Sequence, residues 1–242
     1  MRIYTPPKEM LEANELILTS DGSHSLRSRR FGVEYHSIHG AIQESRHVFI
    51  EAGLRPYLDA GQPEIHVLEM GFGTGLNALL VRQIATAHPD VRFSYDTYEQ
   101  FPVVPTEVAA LNYPQELDVP TATFFDLHDS GWGVLHQLDA NFSFRKNLAD
   151  FITVEERPYE KGSVDVIFYD AFAPNSQPEL WTQDAFAVSY AALRPGGALV
   201  TYCAKGQVKR DLRAVGFTVE ALPGPPGKRE MLRGTWAPET AP

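Results

Sequence analysis

The 242-residue chain has a single cysteine, Cys203, which excludes an internal disulfide and leaves no cysteine-based metal site. Set in the apolar run "GGALVTYCAKG", it reads as a buried strand residue. No apolar run reaches the roughly eighteen residues of a membrane span, and the N-terminal "MRIYTPPKEMLEANE" lacks the charged and apolar regions of a secretory leader. These absences predict a cytoplasmic protein with no membrane partner. Internal repeats and low-complexity tracts are also missing. So are a G-x-S-x-G elbow and a cysteine with an identifiable base, which leaves covalent catalysis unsupported. Positive charge is scarce, with a net charge of −10, and this argues against a polyanionic partner. The scarcity is local, however. Residues 59–184 carry 6 basic and 20 acidic side chains, a sum of −14, whereas residues 194–234 carry 8 basic and 3 acidic, a sum of +5. A basic lobe beside an acidic body is compatible with nucleic-acid contact, although such a run is more often only a solvated face.

What is present is a regular alternation. With 43% hydrophobic residues the chain can bury a full core as one domain with an appendage. After residue 64, β-branched runs ("IHVLEM", "RFSYDTYE", "TATFF", "VDVIFYD", "ALVTYC") alternate with helical stretches at Leu76 to Ala87, Pro105 to Leu111, Leu180 to Leu193 and Gln207 to Val215. This predicts an α/β fold with a mostly parallel sheet covered by helices on both faces. "GFTVEALPGPPGKREMLRGTW" reads as an antiparallel hairpin closing the sheet edge. Residues 1–60 read as a small β-rich N-terminal appendage with a helix from about Ala41 to Leu58, and residues 61–242 as the main domain.

In "VLEMGFGTGLNALL" (67–80) a buried strand runs into glycines at alternate positions, Gly71, Gly73 and Gly75, and then into a helix. That is the strand, turn and helix of a dinucleotide or adenosyl site. Leu76 stands where a third dinucleotide glycine belongs, and the loop has no P-loop lysine, so NAD and triphosphates are disfavoured. Acids complete the pattern. Glu69 ends the first strand, Glu99 ends the next and is placed for two ribose hydroxyls, and Asp150 follows where a carboxylate meets an adenine amino group. Together they describe S-adenosyl-L-methionine in a Rossmann-like methyltransferase fold.

A methyl donor needs a nucleophile. "VIFYDAFAPNSQPELW" puts Asp170 at a carboxyl strand end, the edge where such sheets bind ligands. Asp-Ala-Phe-Ala-Pro resembles in layout the Asp/Asn-Pro-Pro-aromatic tetrapeptide of amino-group methyltransferases. An amine attacks only as the free base, so a carboxylate beside it orients the lone pair and takes the proton. Asp170 is the candidate; an N-cap or ribose ligand is the bland alternative. His36, His39, Glu44 and His47 superficially resemble metal ligands, but Glu44-x-x-His47 is half of a di-iron pair and does not recur. No metal is expected, and the histidines read as pocket or packing residues. Trp132, Trp181 and Trp236 read as core or rim.

In order from about residue 20 to 235, "EYHSIHGAIQESRHVFIEAGL", "LEMGFGTGLNALL", "FYDAFAPNSQPELWT", "LRPGGALVTYCAKGQVKRDLRAVGF" and "PGKREMLRG" resemble the motifs of the tRNA 5-methylaminomethyl-2-thiouridine methyltransferase family. The resemblance implies methylation, with S-adenosyl-L-methionine, of the 5-aminomethyl group of a wobble uridine in the tRNA anticodon loop. It makes Asp170 the catalytic residue, and Glu69, Gly71, Gly73, Thr74, Gly75, Asn77, Glu99 and Asp150 the cofactor cradle. Phe172 and Pro174 are expected to wall the substrate pocket, with Tyr35 and His36 closing it. Lys205, Lys209, Arg210, Lys228, Arg229 and Arg233 are the expected tRNA contacts, and Arg27, Arg29 and Arg30 a second patch. Bifunctional members of the family continue into a flavin-dependent oxidoreductase. This sequence ends at Pro242, so a stand-alone methyltransferase without flavin is expected, its substrate supplied by a separate oxidoreductase or by an ammonium-using branch of the pathway. The competing expectations are a methyl- or aminopropyl-transferase acting on a small amine, and a non-catalytic module that keeps a cofactor turn.

Overall fold

Along the central strands, successive side chains enter two different apolar layers, and this alternation fixes where the helices lie. The computed structural model describes residues 13–154 and 157–236. In it β1 (Glu15–Leu18) and β2 (His24–Arg27) form an antiparallel hairpin. The helix α1 (Ala41–Ser45) continues through a π-helical stretch (Arg46–Leu54) into α2 (Arg55–Asp59). There follow β3 (Glu64–Met70), α3 (Leu76–Ala87), β4 (Arg92–Glu99), the short helices α4 (Pro105–Val108) and α5 (Tyr113–Glu116), and α6 (Thr121–Asp129). Then come β5 (His136–Asp139), β6 (Phe142–Leu148), β7 (Val164–Tyr169), a 3₁₀ turn (Pro178–Trp181), α7 (Gln183–Ala192), β8 (Leu193–Thr201), α8 (Gly206–Val215), β9 (Thr218–Pro223) and β10 (Glu230–Thr235).

The main sheet has the order β5-β6-β4-β3-β7-β8-β10-β9. Strands β6, β4, β3, β7 and β8 are parallel, and antiparallel strands close both edges. The terminal hairpin pairs with β8 as the sequence predicted. Because β3 is the first strand of this sheet along the chain and central in it, the connections on its two sides diverge and leave a crevice at its carboxyl end. Ile65, Val67, Val166 and Phe168 face one layer with the 41–59 helix and α3. Leu68, Met70, Ile167 and Tyr169 face the other, with α7 and α8. Residues 41–59, grouped by the sequence reading with the appendage, thus lie in the same apolar layer as α3. The β1–β2 hairpin is fastened to the 107–112 segment, His24 N donating to Asn112 Oδ1 at 2.7 Å. Cys203 is buried just beyond the end of β8.

One assignment from the sequence is overturned. "TATFF" is not a strand but the start of α6, and the strand lies further on at "FSFRKNL". The reason is periodicity hidden by charge. Phe124 and Leu127, three residues apart, are the buried positions of α6, whereas Phe142, Phe144 and Lys146 alternate inward along β6. Lys146 is only 2% exposed, and its Nζ donates to the His128 carbonyl. A buried lysine beside Arg145 breaks the apolar pattern by which a strand is recognised. The 3₁₀ turn and α7 divide the single helix expected from Leu180 to Leu193 at Thr182, whose Oγ1 accepts the Ala185 N–H at 3.3 Å as an N-cap. Among the described residues no helix is long and apolar enough to cross a membrane.

Gly53 marks the closest approach of the π-helical stretch to the sheet: a Cβ there would lie 2.9 Å from Val200 Cγ2 and 3.1 Å from Phe168 Cε1. We expect Gly53→Val to destabilise the protein by about 1–3 kcal/mol through overpacking, read as a lower urea midpoint. An unchanged midpoint would contradict this packing.

Candidate active site

The turn after β3 exists because three glycines take backbone conformations closed to other residues. Gly71, Gly73 and Gly75 have φ of +91°, +50° and +76°. A Cβ at Gly71 would lie 2.8 Å from the Asp170 carbonyl oxygen, and one at Gly75 would lie 2.7 Å from His128 Nε2. Gly71 N and Phe72 N both donate to Tyr98 O, at 3.0 and 3.2 Å, which ties the turn to the end of β4. Gly75 is the N-cap of α3, so that helix opens with its free N–H groups towards the crevice.

Beneath the turn lies an acidic floor. Asn77, on the first turn of α3, donates its Nδ2 to Glu69 Oε1 at 3.0 Å and to Asp170 Oδ2 at 2.9 Å. Glu69 is fully buried, and burial together with the charge of Asp170 raises its pKa to about 8. Asp170 is raised to about 7, chiefly by burial and then by Glu44, against the opposing hydrogen bond from Asn77. Glu99 is fixed differently: Gly73 N donates to its Oε2 at 2.9 Å and Phe101 N to its Oε1 at 2.7 Å. Burial raises its pKa while these backbone donors pull it back.

A cleft runs over this floor, lined by Gly71, Gly73, Thr74, Asn77, Glu99, Asp150 and Asp170 among others. Tyr35, His36 and Phe172 line it too, whereas Glu69, Gly75 and Pro174 do not. Glu69 acts from below through Asn77, Gly75 caps the helix, and Pro174 is a half-buried turn residue beyond the wall. At the mouth, the Phe172 ring lies between Phe31 at 4.7 Å and Tyr35 at 4.9 Å. His36 Nε2 sits 2.8 Å from Thr74 Oγ1, which also receives the Tyr113 hydroxyl at 3.1 Å. Burial lowers the His36 pKa to about 4, so it is neutral at physiological pH. Asp150 Oδ1 accepts Ile152 N at 2.9 Å.

An adenosyl cofactor fits these residues. The turn keeps its backbone free of side chains beside the cleft, and Glu99 presents a carboxylate already oriented by two N–H groups. Asn77 Oδ1 is buried without a partner among the described residues, an acceptor left for a ligand. Among the described residues no group of three or more His, Cys, Asp or Glu side chains is placed to hold a metal. His47 Nε2 instead meets Pro223 O at 2.8 Å, and Glu44 pairs with Lys228.

The expected tRNA contacts divide. Arg229 is 94% exposed. Lys205 and Arg210 are also exposed, held by Asn175 and Gln207, and Lys209 is half-exposed on α8. Arg233 is engaged by Glu220 at 2.6 Å and by Ala52 O at 3.3 Å, and Lys228 turns inward to Glu44. In the second patch Arg27 is paired with Glu34 at 2.9 Å, while the Arg30 guanidinium stacks 3.8 Å from the Phe101 ring centroid. Phe31, Tyr202 and Glu44 escape the sequence reading as site residues; only Glu44 carries a signal, as half of a rejected metal pair.

Residues 141–237 match the profile of a family of S-adenosyl-L-methionine-dependent methyltransferases. The tRNA 5-methylaminomethyl-2-thiouridine biosynthesis bifunctional protein MnmC of Pseudomonas putida (strain W619) is 33% identical over 227 residues, 89% of this chain and 34% of its own length. The protein of the same name from Chromohalobacter salexigens is 31% identical over 236 residues, 95% of this chain and 34% of its own. This chain therefore spans about a third of the length of the curated relatives it matches. The crystal structure of MnmC2 from Aquifex aeolicus is similar with a TM-score of 0.75 and 26% identity, over 94% of this chain and 72% of that one. The fold is that of S-adenosyl-L-methionine-dependent methyltransferases.

The buried floor makes stability depend on pH. Because the Glu69 pKa is raised from 4.5 to about 8, the folded state holds a proton that the unfolded state releases, and stability falls as pH rises between those values. We expect Glu69→Gln to melt at a higher temperature than the parent at pH 8.5 to 9, with the gap closing towards pH 5. A gap that is constant across this range would rule out a buried, titrating Glu69.

Proposed function

For a chain that belongs to the S-adenosyl-L-methionine-dependent methyltransferases of the tRNA 5-methylaminomethyl-2-thiouridine biosynthesis proteins, we propose methylation of the 5-aminomethyl group of a wobble (2-thio)uridine in tRNA. The observation that carries this reading is Asp170. It is a half-buried carboxylate at the carboxyl end of β7, joined through Asn77 to the cofactor turn and opening on a mouth of aromatic rings. When bound, S-adenosyl-L-methionine supplies an electrophilic methyl group on a sulfonium.

The protein's own residues do the rest. Glu99, with each oxygen fixed by one backbone N–H, keeps its outer lone pairs for the ribose hydroxyls, and Asp150 lies further along the cleft for the adenine amino group. A uridine in the anticodon loop is single-stranded, so taking it out of the stack costs little. Its ring enters beside Phe172 and Tyr35, and its aminomethyl arm reaches Asp170. With a pKa near 7, Asp170 is ionised enough to hold the amine and basic enough to take the proton the nitrogen must shed. The neutral His36 adds no competing positive charge to this wall. Exposed Lys205, Arg210 and Arg229 supply phosphate contacts. Cytoplasmic tRNA is the substrate pool this reading requires.

We expect Asp170→Ala to lower turnover by about 10²–10⁴-fold with a much smaller change in cofactor affinity. Glu99→Ala should show the reverse order, cofactor binding weakening about tenfold or more. The assay is transfer of labelled methyl to tRNA from a strain lacking the modification, with nucleosides identified by mass. Transfer to a free amine but never to tRNA would overturn the reading.

A further inference from the structure

The loop between β9 and β10 turns its lysine, 33% exposed, back towards the wall behind Asp170. Lys228 Nζ lies 2.5 Å from Glu44 Oε1 and 4.0 Å from the ring centroid of Tyr202. Tyr202 lines the cleft, and its hydroxyl donates to Ala171 O at 2.8 Å, the carbonyl next to Asp170. Glu44 is 6% exposed, and its Oε2 accepts the Ser37 N–H at 2.8 Å. Its carboxylate is therefore held from both sides. The same hairpin meets the same segment twice more: His47 Nε2 lies 2.8 Å from Pro223 O, at the end of β9, and Gly227 packs so close to the His39 ring that an added Cβ would collide with it. A lysine serving only RNA phosphates needs none of these partners.

We propose that Glu44 and Lys228 are positioning residues for Asp170: an internal ion pair, carried by α1 and the β9–β10 loop, whose opposed charges hold the neighbouring carboxylate ready for the substrate amine. The proposal rests on Asp170 being the group that receives the amine. Glu44 raises the proton affinity of Asp170 and Lys228 lowers it. The other groups acting around Asp170 are Glu69 on β3, Tyr95 on β4, Tyr113 on α5 and Tyr202 beyond β8. Burial keeps all three tyrosines protonated, and the Asn77 amide is uncharged. Glu69, with a pKa of about 8 and the shared Asn77 donor, titrates beside Asp170 in every variant, so the ion pair is the charge by which the variants differ. Intact, its halves oppose each other at Asp170, with Glu44 the stronger; broken, either half acts alone. Because the partners are 184 residues apart in the chain, the amine site is complete only when the terminal hairpin is seated.

The test is carbon-13 NMR of the full chain labelled at aspartate carboxyls, with S-adenosylhomocysteine present and no RNA, the Asp170 signal assigned with Asp170→Asn. The titration midpoint of Asp170 should rise in Lys228→Met and fall in Glu44→Gln, each by about half a pH unit or more, and lie between those two extremes in the double variant. The acidic limb of kcat/KM for tRNA should move in the same directions. Midpoints unmoved in both single variants would overturn the proposal. So would a Lys228→Met variant whose only effect is a salt dependence of tRNA binding reduced by about one counterion, since that marks a phosphate contact. The NMR titration needs no substrate, so it decides the ion pair's role separately from the identity of the methyl acceptor.

Discussion

The side-chain nitrogen of Asn77 donates to Glu69 at 3.0 Å and to Asp170 at 2.9 Å, and this one amide holds the site together. It sits at the start of α3, directly after the glycine turn, so the geometry of the turn and the position of Asp170 are set by a common side chain. Two carboxylates sharing one donor in a buried layer resist joint ionisation. The consequence is a floor that keeps a proton near neutrality. Burial costs stability here, and the structure concentrates that cost at the place where the charge is used.

Charge is sorted on the same principle. Glu69 and Asp170 lie in the floor of the cleft, and the exposed Lys205, Arg210 and Arg229 lie at the start of α8, on it and in the terminal hairpin. Neutral groups separate the two. His36 is uncharged, and the rings of Phe31, Tyr35 and Phe172 form the mouth. Net charge alone, at −10, conceals this arrangement because it averages two surfaces with opposite duties.

Much of this is legible in the sequence because the signals are local. The glycine turn, Glu99 and Asp170 each stand at a strand end within a few residues of a recognisable pattern, and the alternation of strands and helices is long and regular. The α6 and β6 segments mislead because the aromatic "TATFF" mimics a strand while a buried lysine disguises the true one. Pro174 and Gly75 belong to the correct motifs but do not line the cleft, since a motif marks a turn without saying which of its side chains face the ligand. Lys228 is the hardest residue to read. Its ion pair with Glu44 joins distant parts of the chain, and no local pattern distinguishes an inward lysine from the exposed Arg229 beside it. Charge runs reflect composition, whereas pairing is a property of the fold.

The central claim is that a single amide couples cofactor binding to the catalytic carboxylate. Calorimetric titration of Asn77→Ala with S-adenosyl-L-methionine, followed by turnover at saturating cofactor, tests it most directly. The account predicts that affinity falls about tenfold or more and that turnover falls as well, because the turn and Asp170 lose their common donor. Affinity and turnover both equal to those of the parent would contradict it.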